Sequence, residues 1–209
     1  MSQPSLSDLV SLLQRREPLS GATRVLLIDG PAGSGKTSLA NRVSLALGGA
    51  ESAGPGAFDP DNPTPDDAPV QILHGDDMYE GWGGLPVLDR ILVDQVLEPL
   101  SRGVGGAFEM WDWLQDKRTH LIRVPQRPYL IIEGVGVAQR SARPFASMVI
   151  YVDAPWPERL RRGLERDGEA LRPQWEAWHD TEDEFLYAEG TLRDADAVVS
   201  GDAPLPDSW

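Results

Sequence analysis

The sequence predicts a three-layer α/β domain with a mainly parallel sheet of about five strands. Three observations predict it. Short apolar runs, the mark of strands buried on both faces, recur at Val25–Ile28, Val70–Leu73, Tyr129–Ile132, Met148–Val152 and Ala197–Val199. Stretches between them carry apolar residues at helical spacing. Between the first run and the helix after it stands Gly30-Pro31-Ala32-Gly33-Ser34-Gly35-Lys36-Thr37, a glycine, four residues, then Gly-Lys-Thr.

The first element precedes that motif. Residues 5–16 place Leu6, Leu9, Val10, Leu12 and Leu13 on one side of a short helix, with Ser5 or Ser7 as N-cap and Pro18 and Gly21 as its stop. This N-terminal piece, residues 1–20, packs against the domain and brings no chemistry of its own. At the motif, Gly30, Gly33 and Gly35 permit backbone conformations that a Cβ forbids, so successive N–H groups can surround a phosphate. A helix starting near Gly35 aims its positive end at the same anion. Lys36 is placed to reach β and γ phosphates, and the Thr37 hydroxyl to hold Mg²⁺. The phosphate-binding set thus runs through Gly30, Pro31, Ala32, Gly33, Ser34, Gly35, Lys36, Thr37 and Ser38. Leu39, Val43, Ala46 and Leu47 continue the helix to a C-cap at Gly48-Gly49.

Residues 48–69 are dense in Gly, Pro and Asp, which predicts a mobile surface insertion. It holds no basic residue to meet phosphate, so it is not expected to act as a lid. The second strand run leads directly into His74-Gly75-Asp76-Asp77-Met78-Tyr79. Ligands of such sheets bind beyond the strands' carboxyl ends, where two adjacent carboxylates have distinct uses. One can accept or orient the proton of an attacking hydroxyl, and the other can hold a water of the Mg²⁺ shell. His74 reads as a packed histidine rather than a base.

Leu88, Ile91, Leu92, Val96 and Leu100 define an amphipathic helix that covers one sheet face. In Trp111-Asp112-Trp113 a carboxylate lies between aromatics, which suits either a ring-and-sugar pocket or plain core. The third strand ends in Glu133, an acid suited to support Mg²⁺ through a water. After the fourth strand, Pro157 opens a helix bearing Arg159, Arg162 and Arg166 at spacings of three and four. Such a row can close over a transferring phosphoryl group, making 155–172 a lid region. A further helix over 175–190 presents an acidic outer face, and the short fifth strand follows.

The chain has 209 residues with nineteen basic against thirty-three acidic, a formal charge of −14. That balance repels polynucleotides and anionic membranes, so no nucleic-acid polymer and no membrane is expected as partner. Without cysteine there is no disulfide, no thiolate nucleophile and no Cys-based metal site. With no leader-like segment and no apolar run of spanning length, a single cytoplasmic domain over 1–209 is expected. Its partner is a small-molecule substrate, with a homo-oligomer left open.

Taken together, these residues resemble the uridine kinase-like branch of the phosphate-loop kinases. The Ile28–Lys36 stretch also looks like the version found in cytidylate kinases. Asp76-Asp77-Met78-Tyr79 is similar to the Asp-Ser-Phe-Tyr of uridine kinases. That resemblance implies Asp76 as the base toward a sugar 5′-hydroxyl and Tyr79 as a substrate-pocket residue, leaving Asp77 for the metal. Trp111-Asp112-Trp113 resembles the family's Tyr-Asp-Phe, implying that Trp111 and Asp112 contact sugar or base. Arg118 matches the arginine six positions after that aspartate. Arg159, Arg162 and Arg166 align with the lid helix, and Asp196-Ala197-Val198-Val199 with the last strand. The chain departs from the pattern at Asp116, where the family carries a His, at the second lid arginine group, reduced to Arg172, and at the 48–69 insertion.

The resemblance implies an ATP- and Mg²⁺-dependent kinase acting on a nucleoside hydroxyl, with Lys36, Asp76, Arg162 and Arg166 catalytic and Thr37, Glu133 and Asp77 at the metal. A nucleoside monophosphate kinase, a kinase for another small alcohol, and an ATP-binding regulator without acceptor are the other readings.

Overall fold

In the computed structural model, residues 3–203 and 205–207 are described. Residues 1, 2, 204, 208 and 209, which the single-domain reading includes, lie outside the described residues. Five parallel strands form the central sheet: β1 (Arg24–Asp29), β2 (Val70–His74), β5 (Tyr129–Glu133), β6 (Met148–Asp153) and β7 (Ala197–Ser200), in the order β2-β5-β1-β6-β7. Because all run the same way, Asp29, His74, Glu133, Asp153 and Ser200 finish at one edge. The register sets His74 and Ile28 on either side of Glu133.

Alternate residues of β1 divide the core. Leu26 and Ile28 face α1 (Leu6–Arg15) and α2 (Lys36–Ala46), packing with Leu9, Leu13, Leu39 and Val43. Val25 and Leu27 face Leu88, Leu92, Val96 and Leu100 on the opposite side. Burying each such leucine or isoleucine contributes about 1.5–3 kcal/mol. Ser5 caps α1 in a reciprocal box with Asp8, as the sequence suggests.

The segment expected as one amphipathic helix is built in three pieces. α3 (Asp89–Ile91) leads into a π-wound stretch at Leu92–Leu97, and α4 (Glu98–Ser101) completes it. Pro99 has no N–H to give the carbonyl one turn earlier, so a regular α-helical ladder cannot run through it.

Two further strands, β3 (Gly106–Asp112) and β4 (Lys117–Val124), form an antiparallel hairpin, where the sequence reading found only an aromatic stretch. Its Phe108, Met110, Ile122 and Val124 complete the core on the side of Leu88 and Leu92. α5 (Trp156–Asp167) and α6 (Arg172–Glu189) then cross the site edge, and α7 (Thr191–Asp194) returns the chain to β7.

The 48–69 insertion lies along β2 and is fastened at several points. The Asn41 side chain and the Ser52 backbone exchange two hydrogen bonds at 2.9 and 3.0 Å. Gly56 N–H donates to Asp77 at 2.7 Å, and the Arg127 guanidinium donates to the carbonyls of Pro65 and Ala68.

Candidate active site

The phosphate loop is rooted in a buried acid. Asp29 accepts the N–H groups of Gly30 and Gly136 at 2.7 Å and of Ala138 at 2.9 Å. Burial nevertheless pushes its carboxyl up to about 6. Two of the loop's glycines are required by contact as well as by conformation. At Gly30 (φ +134°) a Cβ would lie 2.1 Å from the Val152 carbonyl, and at Gly33 (φ +76°) one would lie 2.7 Å from the Arg159 carbonyl. Gly35, in the left-handed region, precedes α2 and supplies no side-chain cap, so the helix presents bare N–H groups.

The residues present fit a polyphosphate and its metal. Among the described residues the buried Ser34 hydroxyl has no partner, and Lys36, 7% exposed, donates only to the Pro31 carbonyl at 2.8 Å. Ser38 lies in the first turn of α2. Thr37 donates its hydroxyl to Glu133 at 3.0 Å, the pairing a Mg²⁺ shell needs. Burial alone would push the Glu133 pKa up, but the His74 hydrogen bond and charge, with Lys36 and Thr37, hold it below the ordinary value. His74 bridges Glu133, at 2.5 Å, and the Ser52 hydroxyl, at 2.7 Å. It is a packed residue that positions Glu133, as expected.

Asp76 and Asp77, on the turn after β2, point to different neighbours. Asp76 accepts the Tyr79 hydroxyl at 2.7 Å, and its carbonyl accepts the Trp113 indole N–H at 2.8 Å. Tyr79, Trp113, Trp82 and Trp178 close a ring of aromatic contacts beside it, with centroid distances of 5.6–6.3 Å. Asp77 is buried and bonds to the insertion at Gly56; burial pushes it up to about 6.

Other expected contacts have structural partners. Asp112 accepts the N–H groups of Leu114 and Gln115 at 2.9 Å, together with the Gln115 side-chain amide, and so closes the hairpin turn. Arg118 donates to Glu80 and to the carbonyls of Glu109 and Met78, tying the hairpin to the loop after Asp76, with Trp111 under its guanidinium. Arg162 reaches the Gly33 carbonyl at 3.3 Å and pairs with Glu158. Arg166 pairs with Asp167 and lies over Trp175; Asp76 and Glu133 lie within range of its charge.

Arg159 is not on the lid face. It is buried and donates to Glu182 of α6 at 2.6 Å. Glu182, fully buried, also accepts the Ala32 N–H at 2.7 Å and thereby holds the phosphate loop to α6. The signal was its spacing: Trp178, Glu182 and Leu186 share one helix face, so the acid between two buried residues points inward. Burial pushes the Glu182 carboxyl up to about 7, against the pull of Ala32, Lys36 and Arg159. Its folded value exceeds the free value of 4.5, so it favours folding fully below pH 4.5 and loses that contribution as pH rises through about 7. Wild type is therefore expected to lose stability over this range more than Glu182→Gln, by at most about 3 kcal/mol. Parallel pH profiles of urea midpoints in the two proteins would contradict this assignment.

Gly201, just past β7, also braces the loop. Its N–H donates to the Asp153 carbonyl at 2.7 Å, and a Cβ there would stand 1.7 Å from the Ser34 carbonyl. Gly201→Ala is expected to displace the loop and weaken nucleotide binding by about tenfold or more, read by calorimetric titration.

No family model and no curated protein matches this chain. Solved structures do, and with the site they define the class: the three-layer α/β phosphate-loop NTPase fold. A possible uridine kinase from Bacillus stearothermophilus superposes with a TM-score of 0.61 at 22% identity, over 93% of this chain and 97% of that one. A candidate fructose transport system kinase from a Silicibacter species gives 0.63 at 16%, over 93% and 98%. YFH7 from Saccharomyces cerevisiae, described as a P-loop-containing kinase with a circular permutation, gives 0.52 at 11%, over 93% and 96%. At these identities the likeness is one of fold. Among the described residues no helix is long and apolar enough to cross a membrane.

Proposed function

We propose that the protein is an ATP- and Mg²⁺-dependent phosphotransferase that moves the γ-phosphoryl group to a hydroxyl of a small molecule, foremost the 5′-hydroxyl of a nucleoside such as uridine or cytidine. One observation carries this reading. A phosphate loop with a bare helix N-terminus and a half-buried carboxylate, Asp76, stand at the same edge of one sheet, at the ends of β1 and β2. In this reading Lys36 and the loop N–H groups neutralise phosphate oxygens, and Arg162 and Arg166 offset charge that spreads in the transition state. Mg²⁺, held by Thr37 and through Glu133, would supply further neutralisation of the β and γ oxygens. Asp76 takes or orients the acceptor's proton.

A non-nucleoside alcohol is the second reading, because Asp112 is committed to the hairpin turn and Asp116 stands at the position of the family's histidine. Purified protein with Mg²⁺-ATP and a panel including uridine, cytidine, CMP and non-nucleoside alcohols tests both, with product identified by mass. A phosphorylated nucleoside supports the first reading and another phosphorylated alcohol the second. ATP bound but never transferred, whatever acceptor is added, replaces both with an ATP-binding regulator.

A further inference from the structure

The insertion over residues 48–69 forms one side of a half-open cleft of about 350 Å³ against the open edge of β2 and the hairpin. That volume lies within the range of small-molecule sites. Its walls are built: the insertion is fastened through Ser52, Gly56 and Arg127, and the Phe58 ring lies with its centroid 6.1 Å from that of His120 on the hairpin. Asp77, itself buried, is part of the lining.

The lining is acidic and apolar, with the neutral polar groups of Ser52, Asn62, Thr64 and Gln71 between. Glu51, Asp59 and Asp77 supply carboxylates, Phe58, Phe108 and Ile122 supply apolar surface, and no lining residue is Lys or Arg. Gln71 is the second, independent sign of a ligand. It is 94% buried on a strand whose other residues are mostly apolar, and its amide nitrogen donates to the Arg123 carbonyl at 3.0 Å. Its side-chain oxygen is buried in the cavity wall with no partner. An unmade buried hydrogen bond is costly, and an apolar side chain would avoid that cost. The carboxylates and the Gln71 oxygen are acceptors, so the cavity favours a molecule that brings donors, while Asn62 and Thr64 can donate in return.

We propose that this cavity binds a small uncharged or cationic molecule bearing O–H or N–H donors, at a site separate from the phosphate loop. Anionic molecules are repelled by the three carboxylates. A chain of side-chain contacts links the cavity to the proposed metal site: Ser52 to His74 at 2.7 Å, His74 to Glu133 at 2.5 Å, and Thr37 to Glu133 at 3.0 Å. Any effect of occupancy on ATP turnover rests on the kinase reading, whereas binding itself does not.

The test uses the full chain without nucleotide and titrates ribose and ethanolamine, with ribose 5-phosphate and phosphoethanolamine as anionic counterparts, followed by calorimetry and ligand-detected NMR. At least one neutral or cationic probe is expected to bind. Gln71→Leu and Phe58→Ala should each weaken it by about tenfold or more, the loss of one buried contact, while ATP affinity stays unchanged. Phe58 lies on the insertion, so its replacement keeps the test valid if the strand variant folds poorly. The proposal is overturned if no probe binds at millimolar concentration, if binding survives both substitutions, or if the phosphorylated counterparts bind equally well.

Discussion

Lys36→Ala is expected to lower turnover by at least about a hundredfold, because a preorganised cation aimed at developing phosphoryl charge is worth several kcal/mol. The structure gives that expectation its physical basis. The Lys36 ammonium is almost wholly buried, and its one hydrogen bond is to a loop carbonyl. Its charge favours the ionised forms of Asp29, Glu133 and Glu182, three buried acids around the loop. Lysine thus has two jobs, neutralising phosphate and offsetting these carboxylates. Removing it should also raise the pKa values of all three acids, so the variant's stability should fall more steeply with rising pH than that of wild type. The measurements are kcat with saturating acceptor, nucleotide affinity, and urea midpoints at several pH values. Wild-type turnover from purified, folded Lys36→Ala would show that the phosphate loop is not where transfer occurs.

How much of this was legible beforehand follows from the range of the forces involved. β1, β5 and β6 were readable because each is buried on both faces and so carries an unbroken apolar run, while β2 and β7 kept shorter apolar stretches around Gln71 and before Ser200. The phosphate loop was readable because its glycines answer local demands at Gly30, Gly33 and Gly35. The hairpin was not, since the first five residues of β4 are exposed or half-buried and carry no apolar alternation, and a register shift between Glu109 and Trp111 interrupts its pairing with β3. Gly201 was invisible for a different reason: the atom it must avoid belongs to Ser34, far away in sequence. Glu182 was hidden among other acids of α6, where composition pointed outward and only the helical period pointed in. Asp112 answers a local demand of its own. Its place in a family-like triplet suggested ligand contact, yet an aspartate at the start of a tight turn satisfies the turn's own N–H groups.

Asp76→Asn is expected to leave nucleotide affinity within about threefold of wild type while lowering phosphoryl transfer by about a hundredfold to ten-thousandfold, the span typical of general base removal. The substitution is suited to the question because it changes so little else. The Tyr79 hydroxyl donates to one carboxylate oxygen, and an amide oxygen can accept the same bond. The Trp113 indole bonds to the backbone carbonyl, which the substitution does not touch. Loop position and aromatic packing should therefore persist, and the lost quantity is the negative charge and its affinity for a proton. Tyr79→Phe separates the two remaining effects: it keeps the carboxylate but frees it from its hydrogen bond, so it should change the acceptor KM more than kcat. A parallel loss of nucleotide binding in Asp76→Asn would move this carboxylate into the nucleotide site. Retention of full transfer would remove it from the chemistry, and with it the reason to regard the end of β2 as the place where the acceptor hydroxyl meets the phosphate.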